Sequence, residues 1–354
     1  MALFNAFSKS FIGVDIGADS VKLVELSKQK GKMLTNYGIL GAEYFAGNSF
    51  RNRERGVLSI EEDNIVGAIT SILQEAGIKS KQAFFSIPDY VSFFTTFDLP
   101  PMSEKEVPEA VKYEAPRRIP LPLSEVTLDW QIIKGGPNQK GATPLRVLLV
   151  TVPNDVIAKY QRIAQGAGLK IIALEAEVFA MLRALIKYQD KSNVIGLIDI
   201  GERSSTINIV SQGVLKVSHS LDVSGEDFTR ALTSALGIEK KKASAIIHIY
   251  GLSDKNPDIK KLLLPIAELI LKKTKDIFNE LYAKDKEVPG KIILSGGGVA
   301  MPGLVEYFAQ NLDIPIEIAN PFIDISAPPS LEETLKKIGP SLSIAAGMAL
   351  RGFN

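Results

Sequence analysis

The stretch "LIDIGERSSTINIV", residues 197–210, opens as an apolar strand, breaks at Asp-Ile-Gly, passes through small hydroxyl residues and turns apolar again. A β-hairpin with a tight turn accounts for that pattern. Nearly the same pattern occurs earlier, in "FIGVDIGADSVKLVEL", residues 11–26. Gly17 and Gly201 let the backbone turn sharply and let a ligand approach it closely. Turn amides and the hydroxyls of Ser20, Ser204, Ser205 and Thr206 are donors suited to phosphate oxygens. Asp15 and Asp199 end their strands as acceptor-only carboxylates, which suit a Mg²⁺ ion that keeps several of its waters. One such hairpin is an ordinary turn. Two of them, roughly 180 residues apart, predict a repeated half-fold whose phosphate loops face each other.

A third element points the same way. "KIILSGGGVAMPGL", residues 291–304, reads as a buried strand running into three glycines and then a helix. No Lys-Ser/Thr follows, so it is not a Walker loop, and a dinucleotide fingerprint does not fit. Bare backbone at Gly296, Gly297 and Gly298 would let a purine or ribose lie flat; a closely packed strand-to-helix turn is the other reading.

Composition sets the outer limits. A chain of 354 residues with 45% hydrophobic content suits two domains or one large one. The 41 basic and 40 acidic residues leave a net charge of +1, which argues against a nucleic-acid binder or a polybasic membrane clamp. Cysteine is absent, so disulfide and thiolate chemistry are excluded and a reducing cytoplasm is favoured. His219 and His248 are the only histidines, too few for a histidine-rich metal site. No run approaches the ~20 apolar residues of a membrane span. "MALFNAFSKS" does not read as a secretory signal. Its Leu3, Phe4 and Phe7 read as one face of a short helix, docked on the body or turned to a membrane or partner.

Taken in order, the three motifs resemble those of the actin-like ATPase superfamily, which includes actin, the DnaK-type chaperones, sugar kinases, FtsA and MreB. The resemblance covers nearly the whole chain. It implies an α/β, actin-like (ribonuclease H-like) two-domain fold with ATP and Mg²⁺ in the cleft between the halves. The first phosphate motif would contribute Asp15, Gly17, Ala18, Asp19, Ser20 and Lys22. Strand alternation turns Lys22 toward the cleft or leaves it as a solvated strand residue. The second motif would contribute Asp199, Gly201, Ser204, Ser205 and Thr206. Gly296, Gly297 and Gly298 would face the adenosine, Gly225 and Glu226 the ribose, and Lys242 the base. Asp15 and Asp199 would hold the metal. Hydrolysis needs a group that orients or deprotonates water. In MreB and FtsA a Glu-Pro-x-Ala segment lies there; "EVFA" makes Glu177 the match and Glu175 the next candidate. Val178 replaces the proline, so weak or absent hydrolysis is expected.

The chain between the first two motifs changes character. Residues 11–45 read as a β-meander, 48–59 as a surface loop, and 60–77 as a helix with Ile65, Ile69, Ile72 and Leu73 at helical spacing. A strand- and proline-rich block follows, including the loop "KGGPNQKGAT", and is assigned to an inserted α/β subdomain at 82–170. The first domain then comprises 1–81, 171–192 and 341–354, and the second 193–340. Helices are expected at 173–188, at 223–237, and around Pro265, which begins or kinks its helix. The small residues Ala345, Ala346 and Gly347 suit close packing of a final helix.

"KYEAPRRIPLPLSEVTLDWQII", residues 112–133, resembles the PilM family of type IV pilus assembly proteins, on the FtsA-like branch. That resemblance implies a cytoplasmic adaptor held at the inner membrane through partners. It would bind the N-terminal cytoplasmic peptide of PilN beside the inserted subdomain, link it to other inner-membrane and motor proteins, and serve pilus biogenesis and twitching motility. Self-association is a further expectation. Arg117 and Arg118 near Phe93, Phe94 and Phe97 would suit an extended peptide; core phenylalanines and solvated arginines are the plainer reading. Two alternatives remain at this stage. An FtsA-like filament would carry an amphipathic membrane helix after the closing helix, whereas this chain ends at "MALRGFN". A small-molecule kinase of the same superfamily would need a catalytic aspartate and a polar substrate pocket.

Overall fold

The structure is a computed structural model and describes residues 9–28, 31–41, 61–135, 144–187, 190 and 193–353. The expected N-terminal helix face, the loop at 48–59 and most of the loop "KGGPNQKGAT" lie outside them. In chain order, β1 (Ser10–Ile16), β2 (Ser20–Lys28) and β3 (Lys32–Gly41) precede α1 (Glu62–Glu75) and β4 (Gln82–Ile87). Next come β5 (Phe93–Leu99), α2 (Val107–Glu114), β6 (Val126–Lys134), β7 (Leu145–Pro153), α3 (Asn154–Gly166), β8 (Lys170–Ala176) and α4 (Glu177–Leu185). The remainder runs β9 (Val194–Ile200), β10 (Ser205–Ser211), β11 (Val214–Leu221), α5 (Gly225–Leu236), α6 (Lys240–Ile249) and α7 (Pro257–Asp285). It ends with β12 (Lys291–Ser295), α8 (Leu304–Asn311), β13 (Ile316–Ile318), α9 (Glu332–Ile338) and α10 (Ser343–Leu350).

The two half-folds repeat one topology. The first sheet has strand order β3-β2-β1-β4-β8 and the second β11-β10-β9-β12-β13. Each is an antiparallel meander extended by two parallel strands. Helices cover both faces, so β1 and β10 are buried almost throughout instead of alternating. Helices α1 and α3 close one face of the first sheet, and α5, α7 and α8 close one face of the second. Between the sheets lie α4 and α10, where Ala180, Met181, Ile344 and Met348 meet Phe11, Phe84, Leu197 and Ile293. Small residues make this layer thin. A Cβ on Gly347 would fall on the carbonyl oxygen of Ala180, and one on Gly13 on the backbone of Ala345 and Ala349.

The third sheet, ordered β5-β7-β6, carries α2 over a core of Phe97, Val107, Val111, Val147 and Leu149. This inserted unit is smaller than the sequence boundaries 82–170. Strand β4 pairs with β1 and β8 in the first sheet, and Tyr160, Ile163 and Ala164 of α3 enter the first-sheet core. The helix expected at 173–188 is a strand as far as Ala176 and a helix only from Glu177. Pairing with β4 overrides the local periodicity there. Helix α7 starts with Pro257, where Asn256 caps it by accepting from the Ile259 amide at 3.2 Å. Pro265 therefore lies inside a 29-residue helix.

Candidate functional site

Both Asp-Ile-Gly hairpins make the same local structure. The Gly17 amide donates to the Ser20 carbonyl at 2.9 Å, and the Gly201 amide to the Ser204 carbonyl at 3.1 Å. Each aspartate stands at a strand end between a hairpin partner and a serine of the parallel strand beside it. Asp15 lies opposite Lys22 in register. It accepts from the Lys22 ammonium at 3.3 Å and from the Ser86 hydroxyl at 3.0 Å. Asp199 lies opposite Thr206 and beside Ser295, whose hydroxyl donates to the Pro340 carbonyl at 3.1 Å while standing next to the carboxylate. The serine is therefore a feature of the repeat that the hairpin motif alone does not contain.

These turns line one cleft of about 320 Å³, together with Lys22, Glu177, Gly225, Thr206 and the Gly296–Gly298 backbone. Gly296 has φ +91, and a Cβ there would strike Ile200; at Gly297 it would meet open space. The strand-to-turn step at 296 thus needs glycine, while 297 leaves room for a flat group. Helix α5 is tied to the second turn: Gly225 and Glu226 amides donate to the Gly201 and Glu202 carbonyls, each at 2.9 Å. Its own start is fixed by Ser224, whose amide and hydroxyl donate to Asp227 at 2.9 and 3.1 Å.

Burial of carboxylates dominates the electrostatics. Asp199 is pushed up to about 6 by burial, against the pull of Lys22 and the Ser295 hydroxyl. Burial pushes Lys22 down, but Asp15, Asp199 and Glu177 more than offset it, so the ammonium is held above its ordinary value. Glu177 opens α4 and is pushed well above the carboxylate range by burial and then by Asp15, Asp89 and Asp199. Glu202 rises to about 7 through burial and Asp19, despite Lys240 at 3.5 Å.

The cleft gathers most of the expected residues. Asp15, Gly17, Ala18, Asp19, Ser20, Lys22, Glu177, Asp199, Gly201, Ser204, Thr206, Gly225, Gly296, Gly297 and Gly298 all line it. Four expected residues stand elsewhere. Ser205 points to the opposite face of β10 and donates to the Val223 carbonyl at 2.6 Å. Glu226 lies exposed beside Arg230, at 4.0 Å. Lys242 is exposed on α6; Lys240, two residues earlier, takes the cleft position. Glu175 sits between Arg183 and Arg351, each at 2.8 Å. It neutralises that pair instead of reaching the cleft, so Glu177 is the only carboxylate of this segment there. Sequence reading missed Tyr90, Glu202, Arg203 and Lys240 as cleft residues. For Glu202, Arg203 and Lys240 the signal was present only as charge within a turn or lysine run, which solvated surfaces show equally, and Tyr90 in "IPDYVS" carried none.

On the inserted subdomain, Phe97 is buried beneath Arg118, whose guanidinium is 5.7 Å from its ring centre. Phe94 packs on Phe179 of α4, with ring centres 6.3 Å apart, and Phe93 is half-buried. The phenylalanines thus serve packing more than a groove. Arg117 stacks on Tyr113 at 4.5 Å and pairs with Glu114 at 2.9 Å. Tyr113, Leu121 and Leu123 remain exposed beside them. Among the described residues, no helix is long and apolar enough to cross a membrane.

Comparisons with known proteins agree with this geometry. The structure of a PilM-PilN type IV pilus biogenesis complex matches with a TM-score of 0.84 at 24% identity, covering 97% of this chain and 98% of that one. MreB5 of Spiroplasma citri bound to ADP matches with a TM-score of 0.51 at 16% identity, over 93% of this chain and 98% of that one. Cell division protein FtsA of Enterococcus faecalis is 21% identical over 357 residues, 88% of this chain and 78% of its own length. The fold is therefore the actin-like α/β fold. The profile of the family described as type IV pilus assembly protein PilM matches residues 13–353, and the chain belongs to that family.

Proposed function

We propose that the chain is an ATP-binding adaptor of the type IV pilus inner-membrane assembly complex. The observation that carries this reading is the pair of equivalent Gly-Ser turns facing one cleft, with the open backbone of Gly297 at its side. Triphosphate oxygens would accept from the turn amides, Lys22 and the Ser20, Ser204 and Thr206 hydroxyls. The adenosine would lie along Gly296, Gly297 and Gly298. Asp15 and Asp199 would hold Mg²⁺ through its waters, and the ion would neutralise phosphate charge. No group of three or more acidic or histidine ligands forms among the described residues, which suits an ion bound mainly by phosphate and water. Glu177 accepts from the Asp89 amide at 3.2 Å and is held toward its protonated form. A protonated, fixed carboxyl is a poor base for water, so turnover is slow or absent.

The solved PilM-PilN complex supports PilN as a partner, and in this reading the segment bound is its cytoplasmic N-terminal peptide. Tyr113, Arg117, Leu121 and Leu123 offer an exposed apolar surface rimmed by positive charge. Binding there would hold the protein at the cytoplasmic face of the inner membrane, and nucleotide would bias the partner surface through the cleft. Contacts to motor proteins, self-association and a role in twitching belong to the same reading. Calorimetric titration with Mg-ATP, beside a pull-down with synthetic PilN peptide with and without nucleotide, tests it. No peptide capture in any nucleotide state would sink the adaptor role; no heat of ATP binding would sink the nucleotide role.

A further inference from the structure

The two phosphate turns are equivalent in backbone but not in side chain. The third turn residue is Asp19 in the first and Arg203 in the second, and both line the cleft. The Arg203 guanidinium lies 5.3 Å from the ring centre of Tyr90 and hydrogen-bonds to that side chain. Tyr90 belongs to the other half of the molecule. It sits in the single turn, Asp89–Val91, that joins β4 of the first sheet to β5 of the inserted sheet. On its other side this turn is clasped to α4: the Asp89 amide donates to Glu177, and the Val178 amide donates to Asp89, both at 3.2 Å.

We propose that Arg203 reads the terminal phosphate of a nucleoside triphosphate, leaving Tyr90 to do so, and that the released turn passes the occupancy of the cleft to the inserted subdomain. This rests on the nucleotide-binding reading above and adds to it a residue that separates triphosphate from diphosphate. A guanidinium over a neutral ring makes a modest cation–π contact. Against a phosphate it makes a forked, charge-assisted pair. The cleft also holds Asp15, Asp199 and Glu202, so each added phosphate needs added positive charge. Because Tyr90 is three residues before β5, its contact with Arg203 spans the two halves at the root of the inserted unit. A ligand shifts this arrangement only by its differential affinity for the two states. A diphosphate, ending one phosphate earlier, would leave Arg203 on Tyr90.

Titration of the full chain with Mg-ATP and with Mg-ADP, for wild type and for Arg203→Gln and Tyr90→Leu, tests this. The glutamine variant is expected to lose ATP affinity by roughly tenfold and to keep its ADP affinity within about twofold. The leucine variant removes the competing partner and is expected to raise the ATP-to-ADP affinity ratio. Amide exchange over residues 92–99 should differ between ATP and ADP in wild type and not in Arg203→Gln. A glutamine variant with an unchanged ATP-to-ADP ratio would overturn the proposal while leaving nucleotide binding intact, even if its melting temperature fell. A wild-type chain that binds neither nucleotide would overturn the nucleotide reading and this inference with it.

Discussion

Asp89 and Glu177 hold each other's backbone: Glu177 accepts from the Asp89 amide, and Asp89 accepts from the amide of Val178, the residue after Glu177, each at 3.2 Å. Two carboxyls thus meet where the first sheet gives way to α4. Burial pushes Asp89 from the ordinary 3.8 up to about 7, and Asp199 adds to the rise while the Val178 amide opposes it. A folded carboxyl with a raised value keeps a proton that the unfolded chain has already released. Between 3.8 and about 7 the folded state therefore binds more protons, and stability falls as pH rises through that window.

Asp89→Asn keeps the Oδ1 acceptor and removes the titration. Urea unfolding of the variant should show a flatter pH slope across that window, by up to about 1.4 kcal/mol per pH unit, the equivalent of one proton. Parallel curves for variant and wild type would show that Asp89 does not titrate there.

Lys22 and Asp15 form a buried charge pair in the cleft. Asp15 is 1% exposed and the Lys22 side chain 17%. Lys22→Met would leave Asp15 buried opposite an apolar group, and is expected to cost about 3 kcal/mol in denaturant unfolding. Adding Asp15→Asn should return most of that loss, since the Ser86 hydroxyl can still donate to the amide oxygen. A double variant as unstable as the single one would mean that Lys22 acts through packing instead of charge.

What could be read without coordinates follows from where local chemistry decides the conformation. Asp15 and Asp199 announce themselves because Asp-Ile-Gly hairpins are turn chemistry, and the triple glycine needs its bare backbone at Gly296. Long-range pairing is different. "ALEA", residues 173–176, carries a helix-compatible pattern, and only pairing with β4 makes it part of a strand. Likewise, only the pairing of β4 with β1 and β8 and the packing of α3 on the first sheet show that the inserted unit is smaller than 82–170, and only the approach of Arg183 and Arg351 shows that Glu175 is held away from the cleft. Lys240 and Lys242 sit in one lysine run, and which of them faces the cleft is set by how α6 lies beside the second turn. Arg203 could not be found either, since its partner Tyr90 is remote in sequence.

Asp199→Ala tests the cleft assignment directly. The residue lines the cleft with the two Gly-Ser turns, and burial already holds it up at about 6, so removing it relieves a desolvated charge and should leave the fold intact. Mg-ATP affinity is expected to fall at least roughly tenfold, about 1.4 kcal/mol. Titration calorimetry beside thermal melting separates this from a turn-capping role, for which the melting point would fall and affinity would hold.

Gly347, inside a helix, and Gly297, in the triple-glycine turn, should respond differently to one added methyl. Gly347→Ala drives a Cβ into the carbonyl of Ala180 where α10 crosses α4. Neither partner is the end of a flexible side chain, so the helices must separate. Because α10 also rests on Gly13 of β1, the shift would spread to the first sheet. Overpacking of this kind costs typically 1–3 kcal/mol or more, and Gly347→Ala should show at least that loss in denaturant unfolding. Gly297→Ala meets open space and should change stability by less than about 0.5 kcal/mol. Its methyl would occupy the open space where we propose the adenosine lies, so ATP affinity should drop by roughly tenfold with the fold unchanged. A Gly297→Ala chain that binds ATP as wild type does would move the adenosine away from this turn, whatever the two phosphate hairpins contribute.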